Sequence, residues 1–108
     1  MLLDCVTILV ANHLGLLDDS ETIDGQMMAE SARAVEGEIV EFIEAVKEAR
    51  SNLIAVSNEV GMGLVPPYQS GRAFRDLLGR ANQQLASAAD QVLLMVAGLP
   101  WELKRPAR

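Results

Sequence analysis

Apolar and polar positions run along the chain in blocks whose lengths and periods predict alternating strands and helices. Met1-Leu2-Leu3 is apolar and Asp4 ends the run, which reads as a short strand over 1–4. Val6, Leu9, Val10, His13 and Leu14 then recur at helical spacing and predict a helix from Cys5 to about Leu16. The β-branched Val6-Thr7-Ile8 leaves a longer strand open. Asp18 to Gly25 is polar and acidic, hence a solvated loop; its carboxylates lack the ligand spacing of a calcium loop. Over 26–50, Met28, Ala32, Val35, Ile39, Phe42, Ile43 and Val46 form one stripe of a long amphipathic helix. Glu30, Glu36, Glu38, Glu41, Glu44 and Glu48 fall on the other faces and read as a solvated surface. Leu53 to Ser57 is the second strand, and the order strand, helix, strand implies a parallel crossover. Phe74, Leu77, Leu78, Ala81, Leu85 and Ala88 predict a helix over 71–89, followed by a third apolar run over 91–97. Gly98-Leu99-Pro100 reads as a turn, 101–104 as a short edge strand, and 105–108 as a frayed end.

The punctuation after the second strand stands apart from the rest. Asn58-Glu59 stops the apolar run, and Gly61, Gly63, Pro66 and Pro67 follow closely. A buried strand that leaves an α/β sheet does so through such a turn. Ligands of open parallel sheets bind outside the carboxyl ends of strands, which puts Asn58 and Glu59 where chemistry is done. A polar strand exit that caps the next helix accounts for them equally well.

Composition narrows the possibilities. The 108 residues make one domain, and half of them are hydrophobic, so the chain folds rather than staying disordered. A formal charge of −6 and a scarcity of aromatics argue against nucleic-acid binding. No apolar run reaches the ~18 residues of a membrane span, and Asp4 interrupts any signal-peptide pattern. The single cysteine cannot form an internal disulfide, which fits a cytoplasmic setting.

Few constellations carry chemistry. Cys5 and His13 are two helical turns apart and read as a small packed thiol and a packing or helix-surface histidine. Arg72, Arg75 and Arg80 suit phosphate, a neighbouring subunit or plain solvation. Asp4, an acid at the end of an apolar strand, has the placement by which nucleotide-binding folds hold Mg²⁺ beside a triphosphate. A helix N-cap explains it as well, and the Gly-Lys-Ser/Thr loop that would sharpen the signal appears nowhere in the chain.

Several stretches taken together resemble one family. Leu3-Asp4-Cys5-Val6-Thr7 with Asn12, and Asn58-Glu59-Val60-Gly61-Met62-Gly63-Leu64-Val65-Pro66, are similar to segments of the bifunctional adenosylcobinamide kinase / adenosylcobinamide-phosphate guanylyltransferases. So are Arg72-Ala73-Phe74-Arg75-Asp76, Gly79-Arg80-Ala81-Asn82-Gln83 and Ala89-Asp90-Gln91-Val92. The resemblance implies a P-loop-NTPase-like, three-layer α/β fold with a mainly parallel sheet, and a place in cobalamin assembly. That family phosphorylates the aminopropanol hydroxyl of adenosylcobinamide with ATP or GTP. It then transfers GMP from GTP to the phosphate through a guanylylated histidine. By resemblance Asp4 contacts nucleotide and Mg²⁺, with Thr7, Asn58 and Glu59 as neighbours on the same rim. The family's P-loop and its guanylylated histidine precede the segment that matches Asp4 and have no counterpart here. Residues 1–108 are therefore expected to be the C-terminal part of a single, N-terminally truncated domain. An N-terminal half in trans and self-association through uncovered strands are the expected partnerships. A non-catalytic interaction module, or the remnant of a split or decayed enzyme, is the alternative.

Overall fold

The computed structural model describes residues 1–14, 25–61 and 69–106. Strand β1 (Leu2–Asp4) is followed by helices α1 (Val6–Leu14) and α2 (Gly25–Ala49), then strand β2 (Ile54–Val56). Helix α3 (Gln69–Ala88) leads to strands β3 (Val92–Val96) and β4 (Leu99–Lys104). Each predicted element is present within a few residues of its expected bounds. The expected acidic loop lies outside the described residues, apart from Gly25 at the start of α2.

The core is helical. Val6 and Val10 of α1, Val35 and Ile39 of α2, and Ala73, Leu77, Leu78 and Ala81 of α3 are buried together. These are the stripe positions of three amphipathic helices, and burial against one another is what stabilises helices of such mixed composition. Leu9, Ala32, Ile43, Phe74 and Leu85 close the cluster from its edges, with Leu3 of β1 and Val60 beyond β2. The acidic side chains of α2 stay exposed, as a solvated face should.

Strand β1 pairs parallel with β2, Leu2 opposite Ile54, Leu3 opposite Ala55 and Asp4 opposite Val56. The Met1 ammonium also donates to the Asn52 carbonyl at 2.9 Å, and the Ile54 N–H to the Met1 carbonyl at 2.9 Å. With two helices between them, β1 and β2 form the expected parallel crossover. Since paired parallel strands run the same way, the chain leaves both at the same edge.

The sheet departs from expectation beyond this point. The described strands form two separate two-stranded sheets, β1-β2 and β3-β4, instead of one mainly parallel sheet. Strand β3 pairs antiparallel with β4 because the chain reverses at Ala97-Gly98, where φ is 50° and 78°. Two consecutive left-handed residues make the tight hairpin turn whose twist suits the flanking strands. Leu99 and Pro100, expected in the turn, already belong to β4, where Pro100 is tolerated on an edge strand. Lys104 ties the hairpin to α3 by donating to the carbonyls of Ala86 and Ser87, at 2.9 and 3.0 Å.

The thinnest dimension is 18 Å, which accommodates one helix layer and one strand layer. One face of the strands is accordingly open: Leu2, Ile54 and Val56 lie on the same side of the β1-β2 pair and are exposed. Leu99, Trp101 and Leu103 of β4 are exposed as well. Among the described residues, no helix is long and apolar enough to cross a membrane.

Two substitutions test this packing. Leu78 is fully buried, so Leu78→Ala is expected to lose about 2–5 kcal/mol in urea denaturation. Gly37 sits mid-helix with open space where a Cβ would go, so Gly37→Ala is expected to gain about 0.5–1 kcal/mol. A destabilised Gly37→Ala would mean that α2 approaches another element there.

Candidate functional site

Three elements meet where β1 and β2 end. Thr7 is in the first turn of α1, three residues after Asp4, and Asn58 lies two residues after β2. The Thr7 hydroxyl donates to Asn58 Oδ1 at 2.6 Å, and the Asn58 N–H donates back to Thr7 Oγ1 at 3.2 Å. From α3, Asn82 Nδ2 donates to the Asn58 carbonyl at 3.0 Å. The Ser57 hydroxyl donates to Asn82 Oδ1 at 2.5 Å. These four bonds hold the exit of β2 from both flanking helices.

Glu59 comes next and folds back on its own turn, its Oε1 accepting the Gly61 N–H at 2.6 Å. A Cβ at Gly61 would lie 2.8 Å from that oxygen, so glycine leaves room for the carboxylate to stay. Arg75 of α3 donates to the Gly61 carbonyl and closes the turn from the other side. Beyond Gly61 the glycine- and proline-rich stretch lies outside the described residues up to Gln69.

Asp4 ends β1 at this rim. Its carboxylate is exposed and has no hydrogen bond or ion pair among the described residues. No group of three or more His, Cys, Asp or Glu side chains is placed to hold a metal ion among those residues. One free carboxylate does fit Mg²⁺ that arrives with a nucleotide, since Mg²⁺ keeps most of its water and needs only one or two protein carboxylates.

The four residues singled out from sequence are thus brought to one edge, but with different duties. Asn58 is largely consumed by bonds within the chain. Asp4 and the second carboxylate oxygen of Glu59 take part in no such bond among the described residues. Ser57 and Asn82 were not recognised as part of it. The available signal was a poor helix former inside a helix, directly after the stripe residue Ala81. Arg80 pairs with Glu36 at 3.8 Å on the surface, and His13 bonds Glu38 across α1 and α2. His13 and Glu38, with Leu9 and Asn12, line an open hollow of about 200 Å³ on the α1–α2 side.

Paired parallel strands with an acid and a hydrogen-bonded polar turn at their carboxyl ends place these residues at the edge where open α/β sheets take their ligands. Residues 1–103 match the family described as cobinamide kinase / cobinamide phosphate guanyltransferase, and the chain belongs to that family. It is 40% identical over 104 residues to the bifunctional adenosylcobalamin biosynthesis protein CobU of Salmonella typhimurium, a match covering 96% of this chain and 58% of that protein. With the CobU of Escherichia coli K12 the identity is 42% over 107 residues, covering 96% and 58%. With the bifunctional adenosylcobalamin biosynthesis protein CobP of Pseudomonas aeruginosa it is 35% over 104 residues, covering 96% and 53%. The chain thus spans a little over half the length of the curated relatives it matches.

The Thr7–Asn58 exchange of two hydrogen bonds yields a direct test. Thr7→Val keeps the shape and removes both, and is expected to lose about 1–2 kcal/mol in urea denaturation. Thr7→Ser should retain most of the native stability. A loss in Thr7→Ser with none in Thr7→Val would assign the effect to the missing methyl packing instead.

Proposed function

We propose that this chain forms the acid-bearing rim of an adenosylcobinamide kinase / adenosylcobinamide-phosphate guanylyltransferase site in a P-loop-NTPase-like fold. Its setting would be the cytoplasm, in cobalamin biosynthesis. The observation that carries this reading is the Thr7–Asn58 pair, which ties the ends of two parallel strands into one edge with Asp4 and Glu59 on it. Family membership supplies the substrate class: ATP or GTP, and adenosylcobinamide.

In this reading the kinase step forms a bond between the aminopropanol hydroxyl oxygen of the substrate and the γ-phosphorus of the nucleotide. The bond to the leaving diphosphate breaks, and the hydroxyl proton is released. The guanylyl step joins the new phosphate to GMP with loss of pyrophosphate. Mg²⁺ would offset charge on the phosphates, held on the protein side by Asp4. Glu59, fixed by the Gly61 N–H, presents its remaining oxygen to a hydroxyl or amine of a substrate. Asn58 and Thr7 keep that turn in register with β1. Phosphoryl transfer depends on positioning and electrostatics, so the amides and lysine of a P-loop are indispensable to it. The 108 residues contain no Gly-x-x-x-x-Gly-Lys-Ser/Thr, and resemblance assigns that loop and the guanylylated histidine to the rest of the family domain.

A non-catalytic interaction role is the second reading, favoured by the exposed apolar strand faces. Parallel sheets are normally covered on both sides, and a lone two-stranded hairpin is marginal in water. Uncovered faces of this kind suit either the remaining family segment in trans or a second copy of the chain.

The experiment mixes the purified chain with a polypeptide carrying the unmatched portion of the Salmonella typhimurium relative, adding Mg²⁺, GTP and adenosylcobinamide. The chain alone should give no phosphorylated product, and the mixture should give it. Asp4→Asn should lower the rate on the order of a hundredfold. Product from the pure chain would contradict its dependence on the P-loop segment, and an unaffected Asp4→Asn would remove Asp4 from the site; binding without product from the mixture would contradict the enzyme reading and favour the interaction role.

A further inference from the structure

Asn82 stands on α3, 24 and 25 positions along the chain from the two residues it holds. Its Nδ2 donates to the Asn58 carbonyl while its Oδ1 accepts from the Ser57 hydroxyl, so one planar amide grips two successive residues of the β2 exit. An amide is suited to this because it carries a donor and an acceptor side by side. The helix gains nothing from the choice, since asparagine is a poor helix former and alanine would serve α3 better. The Ala81 side chain just before it is fully buried, which fixes the turn of α3 from which Asn82 reaches.

We propose that Asn82 is the positioning residue of the rim. By holding the Asn58 carbonyl and the Ser57 hydroxyl it keeps the Asn58 amide turned onto Thr7 and sends Glu59 outward to meet the ligand. The bonds Asn82 to Asn58 to Thr7 join α3 to α1 through the end of the strand, so the rim is braced from both sides. That the ligand is a nucleotide rests on the reading above; the brace itself does not.

Residue-resolved amide exchange by NMR on the 108-residue chain tests it. The amides to follow are those of Asn58 and Gly61, which bond Thr7 Oγ1 and Glu59 Oε1. In Asn82→Ala both should exchange about tenfold faster, while the amides of Leu77 and Leu78 in the core keep their native rates. Asn82→Asp preserves size and the acceptor for Ser57 but puts an oxygen against the Asn58 carbonyl, so it should fail to restore native exchange. A residue that merely fills space would be rescued by Asp. Ser57→Ala, an exposed site that removes one bond only, should give a smaller rise in the same two amides and serves if Asn82→Ala does not fold. Unchanged exchange at Asn58 and Gly61 in these variants, native behaviour of Asn82→Asp, or a uniform rise through α3 would each overturn the proposal. Failure of the nucleotide reading would show differently, as a braced rim in a protein that binds no Mg·GTP.

Discussion

Val6 of α1 and Ala81 of α3 are excluded from water by the same helical cluster, and each is followed directly by a residue of the rim. Thr7 comes after Val6 and Asn82 after Ala81, so packing fixes the stems of both side chains before any polar contact forms. The parallel pairing of β1 with β2 then delivers Asn58 between them. Hydrophobic burial supplies most of the free energy here, since exposed hydrogen bonds contribute only about 0.5–1.5 kcal/mol each. The polar network does not hold the fold together; it selects one conformation for a turn whose flanks are already placed. Loss of a core side chain should therefore disturb the site through the stems, whereas loss of a rim bond should leave the core intact.

The same layering leaves strands uncovered. Helices protect one side of β1, while Leu2, Ile54 and Val56 face outward, as does much of the β3-β4 hairpin. The relatives have considerably more chain than is matched here, and apolar strand faces are the natural place for further structure to pack. The free carboxylate of Asp4 lies at the carboxyl end of that open strand pair. A segment packed on that face would also border the rim.

Much of this architecture was legible from residue patterns. The three-and-four spacing of Val35 and Ile39, and of Leu77, Leu78 and Ala81, located the buried stripes because helix burial follows a fixed period. Asp4 and the Asn58-Glu59 turn were recognisable because a polar break after an apolar strand is a local signal. The two-sheet arrangement was not legible: short apolar runs do not announce their partners, and the left-handed Ala97 that begins the hairpin turn has no distinctive residue type. Nor was the Asn82 contact, since it joins residues far apart in sequence and depends on how α3 is rotated by its apolar face. Asn58 was placed at the right edge, but its inward-facing bonds became apparent only in three dimensions.

The most direct measurement is an NMR titration of the isotopically labelled chain with Mg·GTP, the unmatched portion of the Salmonella typhimurium relative being present unlabelled. Shifts should be confined to the amides around Asp4 to Thr7 and Ser57 to Gly61, where the two strands end. Binding that leaves these amides untouched, or no response to Mg·GTP at all, would contradict the assignment of this edge as the nucleotide-facing rim.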